Sequence, residues 1–286
     1  MKEKVLSSEE FRRLQLVELE VLSEVDRVCR KHNINYVIYG GTMLGAVRHK
    51  GFIPWDDDVD IAMLREDYIK FKAIQSDLNP DICFLQDHDS DPDYRWGYTK
   101  VRRTGTSYIR IGQEHMKYKT GIFIDIMPMD DVPLSIPGQM LEYFICYLFR
   151  KILWSEVGKY SNTGLKRLWF KLINYIPANR VYNWLDRIVK KSRNNTPNKV
   201  RCLLLPAYGK PFVHNPITIR YGMPKEWFIE RTEYDFEGHK FWGTKDYNAI
   251  LKYSYNDYMK LPPENQREQH APVSFIDFGN TPKGYK

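Results

Sequence analysis

The sequence predicts a mixed α/β (α+β) fold, a mixed sheet flanked by helices, with a basic and largely helical segment at its centre. Three observations lead there. Short runs rich in Val, Ile and Phe alternate with stretches of helical periodicity in the N-terminal half. The apolar content, 43% of 286 residues, is enough to bury a substantial core and excludes a disordered chain. The longest apolar run, YFICYLF at 143–149, falls far short of the roughly 20 residues that a membrane span requires.

The elements follow in order. Ser7 and Glu10 have capping-box spacing, and Leu14, Val17, Val21, Val25 and Val28 then recur at helical intervals, so a first helix covers about 8–31. YVIYGG, 36–41, reads as a short buried strand ending in a tight turn, and TMLGAVRH, 42–49, as a short helix that Thr42 would cap. DVDIAML at 58–64 alternates as a strand, and EDYIKFKAI at 66–74 has helical composition. ICFLQ, GYTKVRR and GIFIDIM, at 82–86, 97–103 and 121–127, read as further strands. Residues 139–192 are mostly helical with a break at Pro177, and a hairpin over YDFEGHKFWG, 234–243, precedes a helix from Thr244. We divide the chain into a catalytic core at 1–132, a basic aromatic helical segment at 133–205 and a C-terminal segment at 206–286 that completes the core.

The four cysteines, Cys29, Cys83, Cys146 and Cys202, are scattered without a C-x-x-C pair, as expected of reduced packing residues in a cytosolic protein. The N-terminal MKEKVLSSEEFRR has no apolar core of a secretion signal. Net charge is +7 but uneven: residues 150–201 carry thirteen Lys or Arg against Glu156 and Asp186 alone, so the rest of the chain is net acidic. Trp154, Trp169, Phe170 and Trp184 are interleaved with those cations. This composition suits an anionic membrane surface. Nucleic acid, or a solvated basic face over an aromatic core, would also accommodate it.

Against that background, DDDVD at 56–60 stands out. On a strand, Asp58 and Asp60 share one face while Val59 and Ile61 point into the core. Two carboxylates so close favour a hard divalent cation, Mg²⁺ or Mn²⁺. An EF-hand loop is the rival for such spacing, but its sixth position, where glycine is needed, is Ile61, and its twelfth is Asp67. Upstream, Gly40, Gly41 and Thr42 at a strand-to-helix turn would let backbone N–H groups approach a phosphate. Asp125, flanked by Ile124 and Ile126, needs a partner or a metal because an isolated buried charge is costly. Gly-Gly followed by D-x-D and a third carboxylate points to nucleotidyltransferase chemistry, with a triad of Asp58, Asp60 and Asp125 around one or two ions. Arg48, His49 and Lys50 are candidate phosphate contacts, as are Lys100 and Arg102, which alternate on one strand face. Surface solvation is the alternative for each, and His270 is a further residue that could line the site.

YGGTMLGAVRHKGFIPWDDDVDIAML, GIFIDIMPMDD and KDYNAILKYSYNDYMKLPPENQREQH together resemble the LicD family, whose eukaryotic relatives include fukutin and fukutin-related protein. The resemblance covers roughly residues 15–275 and implies a nucleotidyltransferase-like fold. It also implies transfer of a phosphorylated alcohol, with phosphocholine from CDP-choline favoured, to a sugar hydroxyl of a bacterial cell-surface glycan or teichoic acid precursor. Metal would lie on Asp58, Asp60 and Asp125, and the phosphate cradle on Gly40 and Gly41. One departure is visible: the family's Tyr-Gly-Asp-Tyr-Met reads Tyr255-Asn256-Asp257-Tyr258-Met259 here, and Asn256 is expected to keep the left-handed turn. The partners implied are a CDP-alcohol donor, a lipid-linked glycan acceptor and an anionic membrane, with no nucleic acid and a cytoplasmic location at the membrane's inner face. Two other classes stay open: a template-independent nucleotidyltransferase, and a non-catalytic membrane scaffold that would leave the three aspartates without purpose.

Overall fold

A computed structural model describes residues 4–192, 198–206, 221–267 and 273–281, so His270 lies outside the described residues. The first helix, α1 (Ser8–Lys31), starts at the expected capping box, with both reciprocal hydrogen bonds between Ser7 and Glu10 present. Its apolar stripe, Leu14 to Val28, is buried against the sheet, where α1 packs on the strands β4 (Thr99–Arg103) and β6 (Phe123–Asp131).

The main sheet runs β3 (Cys83–Gln86), β4, β6, β2 (Asp60–Leu64), β1 (Val37–Ile38), β10 (His239–Thr244), β9 (Arg231–Phe236). It is mixed: β2 pairs parallel with β6, and β1 with β10, while the other neighbours on this path are antiparallel. Short strands β7 (Lys199–Arg201) and β8 (Met223–Pro224) extend the far end of β6. A separate antiparallel pair joins β5 (Ser107–Arg110) to β11 (Val273–Asp277). Helices α2 (Gly40–Arg48) and α3 (Arg65–Ala73) pack on β2, and α7 (Tyr247–Tyr255) packs on α2 and β10. The central helices are α4 (Ile136–Ser161), α5 (Gly164–Ile173) and α6 (Ala178–Ser192), with Pro177 in the break before α6. Their apolar cluster, which includes Cys146, Leu153, Val181 and Leu185, is distinct from the sheet's own core.

All four cysteines are buried thiols without disulfides, as their spacing implied. Three local expectations need correction. Thr42 does not cap α2: the helix starts two residues earlier, at Gly40, and the Thr42 hydroxyl accepts a 2.9 Å hydrogen bond from the Asp60 N–H. The last helix begins at Tyr247 rather than Thr244, because the Asp246 side chain caps it and Thr244 still belongs to β10. Asn256, which ends α7, takes φ 59° but ψ −107°, so the left-handed turn expected of it is not formed: φ is positive, yet ψ lies outside the left-handed helical region.

Candidate active site

The sheet register builds the site. Asp60 on β2 lies directly opposite Asp125 on β6, and Asp125 lies opposite Lys100 on β4. Residues directly opposite on neighbouring strands project to the same face, so one row across three strands presents Asp60, Asp125 and Lys100 together. The Asp125 N–H donates to the Val59 carbonyl at 2.8 Å, which fixes the strand beside the D-x-D turn. Val59 and Ile61 are fully buried on the opposite face, as alternation required. Asp58 precedes the first residue of β2 and joins the same electrostatic cluster.

Three acidic side chains are held ionised with difficulty. Burial, then Asp57 and Asp125, pushes the Asp58 carboxyl up to about 6. Burial, with Asp58 and Asp57 adding repulsion, lifts Asp56 to about 8. Asp60 is raised well above the ordinary carboxylate range by burial and by Asp58 and Asp125. Lys100, buried and 2.5 Å from Asp125, is pushed down to about 7 by desolvation, which the Asp125 charge opposes.

The glycines are there for close approach. Gly40 has φ +57°, and a Cβ on it would lie 3.1 Å from Asp60 Oδ2; a Cβ on Gly41 would meet Asp56 Oδ2 at 2.3 Å. The N-terminus of α2 therefore stands directly against the carboxylates, with backbone N–H groups available to an anion. A hard-oxygen donor set, crowded and buried at Asp58 and Asp60, fits a divalent cation. Asp125 is engaged by Lys100, and among the described residues no three acidic, imidazole or thiol groups converge as a ready ligand set.

The remaining candidate residues divide. Lys100 faces the carboxylates. Arg102 is on the same face but is buried and anchored, with Nε donating to Gln86 and Nη1 to the Gly121 carbonyl, so it is neither solvated nor aimed at a phosphate. Arg48, His49 and Lys50 are at the far end of α2, about 12 Å along its axis from Gly40. Arg48 donates to the Tyr258 carbonyl at 2.9 Å, and His49, with its pKa lowered by burial and Arg48, sits edge-on to Trp55. Lys50 is an exposed turn residue at φ 59° that caps nothing in the site.

Two site residues escaped the sequence reading. Glu18, only 2% exposed, reaches from α1 toward Asp56, Asp57 and Asp58; burial and those charges raise its pKa, and its Oε2 accepts no hydrogen bond among the described residues. Its signal was present, since Glu18 occupies the Leu14–Val21–Val25 stripe where an apolar residue belongs. Arg110, at the end of β5, lies in the field of Tyr108, Asp125, Tyr98 and Asp58, and only the unrecognised pairing of β5 with β11 brings it there.

Residues 33–143 match the family model described as LicD/FKTN/FKRP, nucleotidyltransferase domain, a span that includes the Gly40–Gly41 turn, Asp56 to Asp60, Lys100 and Asp125. The lipopolysaccharide cholinephosphotransferase LicD of Haemophilus influenzae is 29% identical over 280 residues, 91% of this chain and 95% of that protein. Uncharacterised proteins of Rickettsia typhi and Rickettsia prowazekii are 43% identical over 75 residues and 31% over 114, covering 24% and 40% of this chain and 24% and 39% of their own lengths. Residues 33–143 of the chain are thus similar to the nucleotidyltransferase domain of the LicD family, and nearly the whole chain is similar to one cholinephosphotransferase of that name.

Proposed function

We propose that this protein is a Mg²⁺-dependent transferase that moves phosphocholine from CDP-choline to a sugar hydroxyl of a bacterial cell-surface glycan or teichoic acid precursor and releases CMP. The observation that supports the reading is the close approach of Gly40 to Asp60 beside the Asp60–Asp125–Lys100 row, where a phosphate cradle would adjoin a cation-binding face. The name of the Haemophilus relative supports choline as the transferred alcohol.

In this reading the acceptor oxygen bonds to the β-phosphorus as the bond to the bridging oxygen breaks, and CMP leaves with that oxygen. Asp125, paired with the Lys100 ammonium, takes the acceptor's proton. The α2 N–H groups at Gly40 and Gly41 bind the donor's phosphate oxygens. Asp58 and Asp60 hold the metal, which when bound supplies charge neutralisation for the pyrophosphate. Mn²⁺ substitutes for Mg²⁺ on the same oxygen ligands. The acceptor is lipid-linked, and the enzyme works at the inner face of an anionic membrane, with no nucleic acid as substrate.

The test is CMP release by purified protein with Mg²⁺, glycan acceptors and CDP-choline, CDP-ribitol or CDP-glycerol in turn. CDP-choline is expected to be turned over fastest. Turnover of CDP-ribitol or CDP-glycerol alone would replace the alcohol, and activity on a nucleoside triphosphate with none on the three donors would replace the reaction.

A further inference from the structure

Helix α5, GLKRLWFKLI, is amphipathic, yet only Phe170 of it is buried. Its apolar stripe of Leu165, Leu168 and Leu172 points outward, with Leu165 85% and Leu172 58% exposed. A helix on the surface of a protein surrounded by water turns such a stripe inward. The exposure is not scattered: among the described residues, fifteen of the twenty-three large exposed hydrophobic side chains lie between Leu134 and Trp184. Trp154 of α4 and Trp169 of α5 both contact the Phe170 ring, at centroid distances of 5.1 and 4.7 Å, so the apolar surface is continuous across the two helices.

Charge identifies what covers it. In α4 and α5 the acidic residues are Glu142 and Glu156, and both are engaged, Glu142 by the Tyr221 hydroxyl at 2.8 Å and Glu156 by Lys159 at 2.6 Å. Lys151, Lys166, Arg167 and Lys171 have no acidic partner among the described residues. A second copy would bring like charges together, whereas an anionic bilayer complements apolar stripe and cations at once. No described helix is long and apolar enough to cross a membrane, which leaves an in-plane arrangement for these helices.

The same face walls a cavity of about 350 Å³, lined by Tyr147, Lys151 and Trp154 of α4 and by Trp96, Tyr98 and Leu204. The ring of Tyr98, one of its lining residues, lies 5.4 Å from the Lys100 ammonium that pairs with Asp125. We propose that the exposed face of α4 and α5 docks on an anionic bilayer and sets this cavity at the membrane plane, as the entrance for the lipid-linked acceptor. This rests on the transferase reading for the acceptor, while the docking itself does not.

The experiment is vesicle co-sedimentation without donor or metal, comparing phosphatidylglycerol–phosphatidylcholine with phosphatidylcholine alone. The native chain is expected to pellet with the anionic vesicles, and Leu165→Glu/Leu168→Glu/Leu172→Glu to weaken that binding at least about tenfold with an unchanged circular dichroism spectrum. Independently of any variant that fails to fold, lipids brominated on their acyl chains should quench native tryptophan fluorescence, and Trp154→Phe/Trp169→Phe should remove most of that quenching. Native protein left in the supernatant, full binding by the folded triple variant, or a dimer that the triple variant dissociates without any vesicle binding would each overturn the proposal. Loss of CMP release alongside intact vesicle binding would instead count against the donor assignment alone.

Discussion

Replacing Asp58 by Asn should make the metal-free protein more stable while destroying its activity. The Asp58 carboxyl is raised from 3.8 to about 6, first by burial and then by Asp57 and Asp125. For a carboxyl whose folded pKa is raised, the unfolded chain releases its proton first, so stability falls as pH rises from about 4 through 6 and the full penalty is present above that. Two units correspond to about 3 kcal/mol at pH 8. Asn is nearly isosteric and uncharged, so Asp58→Asn should recover up to about 3 kcal/mol at pH 8 and about half of that at pH 5, where folded Asp58 is mostly protonated. Urea unfolding in EDTA at the two pH values measures both. Mg²⁺ should stabilise the native protein clearly and the variant little. A variant less stable than the native protein at pH 8 in EDTA, or a gain equal at both pH values, would refute the crowding argument.

Other perturbations test neighbouring parts of the structure. Gly41→Ala places a Cβ 2.3 Å from Asp56 Oδ2 and should lower kcat/KM for the donor at least about tenfold, checked by CMP release across donor concentrations. Glu142, buried between Tyr221 and Ser192, is raised to about 7, so it disfavours the folded state increasingly from about pH 4.5 to 7; Glu142→Gln should flatten that part of the urea-midpoint profile by about 3 kcal/mol. Arg65 holds Asp130 through paired 2.6 Å hydrogen bonds from Nε and Nη2, and Arg65→Met leaves that buried carboxylate unmatched, at a cost of about 3–5 kcal/mol in urea unfolding.

The sequence carried most of the central sheet because its strands have strong local signatures. Ile122 to Ile126 around Asp125, and Val59 and Ile61 around Asp60, are patterns that only a buried strand beside a polar site satisfies. The capping box at Ser7 set the first helix boundary for the same local reason. What escaped was long-range. Strand β5 is four residues paired with β11, more than 160 positions away, so nothing near Arg110 announces its place beside Asp125. Arg48, His49 and Lys50 lie close to the aspartates along the chain, yet a nine-residue helix sets their backbone about 12 Å from Gly40, a separation that sequence spacing does not show. Arg102 shared the face of Lys100 yet found Gln86 and the Gly121 carbonyl first. The basic centre was plain as composition, whereas the outward turn of the α5 stripe depends on tertiary packing of Phe170 against α4.

The most direct measurement is Mn²⁺ binding, followed by the loss of the free-ion electron paramagnetic resonance signal, in the native protein and in Asp58→Asn and Asp60→Asn, with CMP release from CDP-choline read on the same samples. The native protein should bind Mn²⁺ and turn over the donor, and each variant should lose at least about tenfold in affinity together with nearly all turnover. Unchanged Mn²⁺ affinity in both folded variants, or undiminished CMP release in EDTA, would contradict the assignment of this carboxylate face to a metal-assisted phosphotransfer.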